Sequence, residues 1–173
     1  GTRILSQEEI ADNCDLTQPV ARRRLLDCAQ GLQAIALSCK DVAVLTAASL
    51  DSEAICQFWQ HLDLLKQTDR YELTAFSILK FFIHHAPFHA VRTAYAELFQ
   101  QLMWGHPLRG MRTDADDLKS FYLSYLDFFI GCVKKNDFTG FADKLEELIM
   151  FEFRSMLEKL EALGIPEASC LLF

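Results

Sequence analysis

The sequence contains few of the residues that interrupt helices, with 7 glycines and 4 prolines in 173 residues. It has no uninterrupted run of about 18 apolar residues, the length that predicts a membrane-spanning helix. No secretory signal is recognisable at its start, so we expect a cytoplasmic protein that does not bind a membrane. Gly1 stands where Met would begin a complete chain, and we expect the chain to be a piece of a longer protein.

Positive charge is also scarce. The chain has 17 Lys and Arg against 24 Asp and Glu, a net charge of −7. Contacts with phosphates need clustered cations, so the domain as a whole is not expected to bind nucleic acid. The 6 cysteines include no CxxC pair. Most of them lie in apolar helical segments, and we expect a reduced protein without a disulfide framework.

The residue patterns of catalysis are missing as well. The sequence shows no paired nucleophile and base, no glycine-rich phosphate loop and no Glu-x-x-His motif, so we do not expect an enzyme. His84, His85 and His89 are a candidate metal cluster, but Pro87 breaks the helical spacing and no carboxylate stands nearby. A role at the end of a helix is favoured for these histidines, and no metal or cofactor is predicted.

What the sequence does contain is helical periodicity. The segment YELTAFSILKFFIHHAPFHAVR at 71–92 predicts one helix, a break at 85–87 and the start of a second helix. The first of these helices is apolar over most of its circumference, which is typical of a helix surrounded by others. A capping box at Asp69 and Glu72 predicts where it begins. No segment alternates with the period of a strand. We therefore predict an all-α fold, an antiparallel bundle of six or seven helices.

The helix boundaries follow from caps and breakers. We predict a short helix at 6–14, a long helix from about 17 to 49, and further helices from Ser52, from Pro87, from Thr113, and over about 138–163. Gly31 inside the long helix predicts close packing against a neighbour. Residues 1–16 are then a linker with a short helix, 17–164 the bundle, and 165–173 a tail.

This order of helices resembles the effector-binding domain of GntR-type bacterial transcription regulators, in the FadR-like branch. The resemblance covers about residues 17–162 and is most specific in FSILKFFIHHAP at 76–87 and KKNDFTGFADKLEELI at 134–149. It implies a ligand-binding and dimerisation domain, a homodimer, and operator DNA bound only through a separate winged-helix domain. The helix predicted over about 138–163 carries Met150 and Phe151 outside its main apolar stripe, which suggests an interface.

The chain departs from that family at its metal site. Many members hold a divalent metal with an Asp and a His four apart on the central helix and with two further histidines. The matching positions here are Leu73, Ser77, Tyr125 or Leu126, and Leu148. The resemblance therefore implies a metal-free member, similar to the FadR proteins that take an acyl-CoA. Gln33 stands where the family often has Arg, which weakens the case for a small carboxylate effector.

The candidate ligand-binding residues lie on the helices that would surround an internal cavity. We expect this cavity between the central helix, the helix predicted from Thr113 and the helix predicted over about 138–163. A fatty acid or acyl-CoA is the effector that we expect it to bind. The candidates are Gln33, Phe76, Ser77, Phe82, Tyr122, Tyr125 and Phe129. Each also has a plainer interpretation, because apolar stripes, buried tyrosines and helical serines are common in cores that bind nothing.

Two other interpretations remain open. A helical dimerisation bundle without a ligand would show the same periodicity with a filled core. A TetR-like regulator would carry its own helix-turn-helix at 6–25, where Ala11 fits the helix contact and Arg22, Arg23 and Arg24 follow the turn. Against this second alternative, the first helix is acidic and Asp15 replaces the usual Gly of the turn.

Overall fold

A computed structural model of the protein describes residues 18–103 and 115–165. Those residues form six α-helices, one short 3₁₀ turn and no strand. The helices are α1 (Gln18–Ala48), α2 (Ser52–Gln67), α3 (Thr74–His85), α4 (His89–Met103), α5 (Ala115–Lys134) and α6 (Phe138–Ala162), and the 3₁₀ turn is Tyr71–Leu73. The all-α prediction is thus confirmed. The predicted helix at 6–14, the cap at Thr113 and most of the helix-turn-helix lie outside the described residues.

The longest helix organises one side of the bundle. α1 runs without interruption for 31 residues and packs along α6 and α4. Gly31 lies where α1 meets α4: a Cβ atom added to it would stand 2.9 Å from Oε1 and 3.3 Å from Cβ of Gln101. The close packing predicted at Gly31 is present, because a larger side chain there would require the Gln101 side chain to move.

α3 occupies the centre of the fold. It contacts α1, α2, α4 and α6, and half of its 12 residues are buried. Its apolar side chains point in more than one direction, so neighbouring helices cover most of its surface. Four helices contact α3, as the sequence predicts, although one of its faces stays open.

Three helices end with the same chain reversal. Asp69 after α2, Asn136 after α5 and Gly164 after α6 all have positive φ. After α2, the amide of Arg70 donates to the carbonyl of Leu65, and matching bonds close the other two ends. This is the Schellman arrangement, in which a left-handed residue lets the chain satisfy its last carbonyl groups.

The start of the central helix differs from the prediction. Asp69 does not cap it, because this residue takes the left-handed conformation that closes α2. The chain then passes through the 3₁₀ turn, and α3 begins at Thr74 without a side-chain cap. The sequence offers Asp51 or Ser52 as the cap of α2, and the structure has Asp51, whose side chain accepts from the amide of Ala54 at 2.8 Å.

α1 has a length and a mean hydropathy that we did not predict to resemble those of a membrane-spanning helix. Among the described residues, the segment Arg22–Ala48 is long and apolar enough, on average, to span a membrane. Charged residues such as Asp27 and Lys40 interrupt it, which is why it contains no continuous apolar run. Of its most apolar window, 44% is buried inside the fold, and core helices of soluble proteins meet the same criterion.

Candidate functional site

An open groove of about 630 Å³ lies along one face of α3, between α2 and α4. α2 contributes positions 57, 61 and 65, which are spaced four residues apart and therefore share one helical face. α3 contributes positions 77, 80 and 84, and Leu73 at the end of the 3₁₀ turn extends this stripe with the same helical spacing. The lining residues are Gln57, Phe58, His61, Leu65, Leu73, Phe76, Ser77, Lys80, Phe81, His84, His85, Phe99 and Met103.

Aromatic rings form the walls of this groove. Phe58 of α2 stacks on Phe81 of α3, with ring centroids 3.9 Å apart and planes 8° from parallel. His85 stacks on the same Phe81 ring at 4.2 Å. Where α3 meets α4, Phe76 contacts Phe99 edge-on at 5.6 Å. These contacts join three helices, so packing between the helices fixes the walls of the groove.

The polar lining residues are basic or neutral. Gln57, His61, Lys80 and His84 are exposed, whereas Ser77 and His85 are half-buried. Burial lowers the pKa of His85 below its ordinary value of 6.5, and the neighbouring His84 lowers it further, while Asp51 acts in the opposite direction. His85 is therefore neutral at pH 7. The groove combines an apolar interior with a set of nitrogen-bearing side chains.

Of the residues predicted to bind a ligand, the structure brings two to this groove. Phe76 and Ser77 line it from α3. Phe82, although on the same helix, is only 2% exposed, and it faces Tyr95 of α4 in the core. Gln33 is half-buried on α1. Phe76 therefore lines the groove and Phe82 does not, although the apolar pattern of α3 could not distinguish the two residues.

The space where we expected an internal cavity is occupied by core side chains. Phe129 of α5 is fully buried and packs against Phe141 of α6, with ring centroids 4.8 Å apart. Leu126, Leu145 and Leu148 are also fully buried there. These side chains fill the contact of α5 with α6 as an ordinary core does.

The two predicted tyrosines belong to the layer formed by α5 and α6. The hydroxyl of Tyr122 donates to Oε1 of Glu152, a carboxylate that is itself buried. Tyr125 packs against Phe121, and the ammonium group of Lys144 lies 4.9 Å from the centre of the Tyr125 ring. Burial, followed by the charge of Glu147, raises the pKa of Tyr125 to about 12. The phenol of Tyr125 is therefore protonated at pH 7.

The sequence survey missed the contribution of α2. Gln57, His61 and Lys80 are not among the ligand-binding residues predicted from the sequence. Their spacing was visible, since Gln57, His61 and Leu65 recur every four residues. That pattern shows a shared face but not that α3 would leave a gap opposite to it. Within the described residues, no group of three or more His, Cys, Asp or Glu side chains is placed to hold a metal ion.

No protein-family model, no curated protein and no solved structure matches this chain. The all-helical fold and the groove therefore rest on this structure alone. The resemblance to the GntR-type effector domain remains a hypothesis carried by the motifs at 76–87 and 134–149.

Proposed function

We propose that this chain is a ligand-binding domain whose site is the groove between α2, α3 and α4. The observation that carries the proposal is a space of about 630 Å³ walled by Phe58, Phe76, Phe81 and Phe99. Sites for small molecules are mostly apolar, hold a few polar groups, and enclose roughly 300–1,000 Å³. This groove fits that description in size and in chemistry, and suits an apolar or acyl-type molecule.

Following the resemblance, we further propose that the chain is the effector-binding and dimerisation domain of a GntR/FadR-like transcription regulator. DNA would be bound by a separate winged-helix domain. α3 supports this proposal mechanically, because it lines the groove and also contacts α1 and α6. A ligand that displaced α3 would change the packing of those two helices. Coupling of this kind is a free energy shared between the two sites, so DNA would in turn alter ligand affinity.

The test of ligand binding is a fluorescence titration with N-phenyl-1-naphthylamine, a neutral apolar probe. We expect a saturable increase in fluorescence with the wild-type protein. Ser77→Trp fills the middle of the groove and should weaken binding at least about tenfold, since a full side chain would occupy the ligand's space.

Ser124→Trp is the matched control, because Ser124 is exposed on α5 and does not line the groove. It should leave the titration unchanged. Circular dichroism of both variants checks that the helices are intact. Equal binding by the two variants would rule out the groove as the probe's site, and the absence of saturable binding by wild type would count against the whole proposal.

One observation favours the second candidate function, a helical dimerisation bundle without a ligand. Leu37 and Val44 are two turns apart on the outer face of α1 and are 67% and 48% exposed. Apolar residues at this spacing are typical of a helix that packs against a partner. Such a bundle would form a stable dimer whose fluorescence titration with the probe shows no saturable phase.

A further inference from the structure

The charges along the groove differ from those of the chain as a whole. The chain carries a net charge of −7, yet among residues 18–103 and 115–165 no Asp or Glu lines the groove. Lys80 lines it, as do three of the chain's five histidines. α3, which forms the floor, contains no acidic residue along its length. A concave surface lined by a lysine and histidines is suited to a negatively charged ligand, even though the protein as a whole is acidic.

These basic groups are concentrated toward one end. In chain order, Leu73 of the 3₁₀ turn and Phe76 of α3 come first, and Lys80 and His84 follow one helical turn apart. The stripe from Leu73 to His84 extends about 16 Å, at about 1.5 Å of rise per residue. α2 runs in the opposite sense, because its Phe58 stacks on Phe81 and its Leu65 lies further along the groove. The groove is therefore apolar toward Leu73 and basic toward His84.

Two carboxylates stand beside the basic end without lining it. The charge of Asp51 acts on His85, and Glu53 accepts a hydrogen bond of 3.3 Å from the side chain of Gln57. Glu53 lies one helical turn before Gln57 on α2 and does not line the groove. The polar lining residues at and near this end are Gln57, His61, Lys80, His84 and His85. They stand beside the rings of Phe58 and Phe81 and offer donors to a ligand.

Resting on the proposed function, we propose that the groove recognises an amphipathic anion. The apolar body of the ligand lies against Leu65, Leu73 and Phe99, and its acidic group lies beside Lys80, with His61 and His84 as further donors. Lys80 is exposed, so its ammonium group can meet the acid at the mouth while its methylene stem continues the apolar wall. The structure thereby assigns both a ligand class and an orientation to the site.

The test compares three ligands that share one alkyl chain and differ only in the head group. Dodecanoate, 1-dodecanol and dodecylammonium, each below its micellar concentration at pH 7.5, are used to displace N-phenyl-1-naphthylamine from the wild-type protein. We expect dodecanoate to bind about threefold to fivefold more tightly than the alcohol, the range of a partly exposed ion pair. Dodecylammonium should bind most weakly, because Lys80 repels it.

Lys80→Gln should remove the preference of the groove for dodecanoate over dodecanol, because the ammonium group that attracts the acid is then absent. Lys135→Gln removes the same charge from an exposed position outside the groove and should keep the wild-type preference. Raising KCl from 0.05 to 0.5 M should reduce the preference in the wild-type protein, because salt screens exposed charges.

The outcomes separate the two proposals. If dodecanoate and dodecanol bind equally to wild type, or if Lys80→Gln keeps the preference for the acid, the anion inference is wrong and the apolar binding function stands. If dodecylammonium binds most tightly, the inference is likewise wrong. If none of the three displaces the probe, both the inference and the function proposed for the groove are overturned.

Discussion

At the scale of single residues, His85 links several parts of the site. Its ring stacks on Phe81, and its carbonyl accepts a hydrogen bond of 3.3 Å from the hydroxyl of Ser49 in the α1–α2 connection. The sequence suggested a helix-end role for this residue, and the structure places it as the last residue of α3. Partial burial of its imidazole also makes the fold sensitive to acid, which the sequence did not suggest.

We predict that His85 lowers the stability of the fold in mild acid. The pKa of this imidazole is below its ordinary value of 6.5 in the folded protein, with desolvation as the main cause. As pH falls, the unfolded chain therefore takes up the proton first, and the equilibrium shifts toward unfolding. The contribution is fully present above about pH 6.5 and is lost as pH falls through the lower folded pKa.

His85→Phe keeps an aromatic ring against Phe81 and cannot titrate, so it isolates this effect. Urea unfolding of both proteins at pH 8 and at pH 5.5 gives the measurement. The free energy of unfolding of the wild type should fall more than that of the variant over this interval. Parallel pH dependences in the two proteins would show that His85 does not contribute.

At the scale of helices, two glycines in similar positions have different surroundings. Gly31 in α1 faces Gln101 of α4, whereas a Cβ added to Gly131 in α5 would meet nothing within 4 Å. Alanine is favoured over glycine inside a helix by about 0.5–1 kcal/mol. Only the replacement of a glycine that has no close neighbours can gain that full amount of stability.

Gly131→Ala should therefore raise the free energy of unfolding by about 0.5–1 kcal/mol. Gly31→Ala should gain less, or lose stability, because its methyl group stands 2.9 Å from the Gln101 side chain unless that residue moves. Thermal or urea unfolding of the two variants side by side measures the difference. An equal gain in both would mean that the contact between α1 and α4 is looser than the structure shows.

The helices themselves could be predicted because their signals are local. The apolar period and the cap at Asp51 depend on residues within a few positions of one another. The predicted start of the central helix failed for an equally local reason. Asp69 is suited both to capping α3 and to a left-handed turn after α2, and the turn prevailed because it satisfies the last carbonyl groups of α2.

At the scale of the whole molecule, the proposed regulator function requires a dimer. We expect sedimentation velocity to give twice the chain mass of 19.8 kDa at micromolar concentration. Dimerisation of this kind presents two DNA-binding domains to a symmetric operator. A monomer over the accessible concentration range would contradict the regulator proposal but not ligand binding in the groove.

The amino-acid sequence by itself determined the class of fold, the approximate positions of the helices and the apolar character of α3, since each depends on short-range periodicity. Tertiary packing alone decided what each apolar face does. Phe76 and Phe82 belong to the same apolar pattern, yet Phe76 lines the groove and Phe82 is buried against α4.

The physical reason is that periodicity tells which residues share a face but not which helix covers it. The expected cavity beside α5 is filled by Phe129 and its neighbours, while α2 and α4 leave the opposite face of α3 open. That gap exists only in the arrangement of three helices, and it brings His61 to the same groove as Lys80.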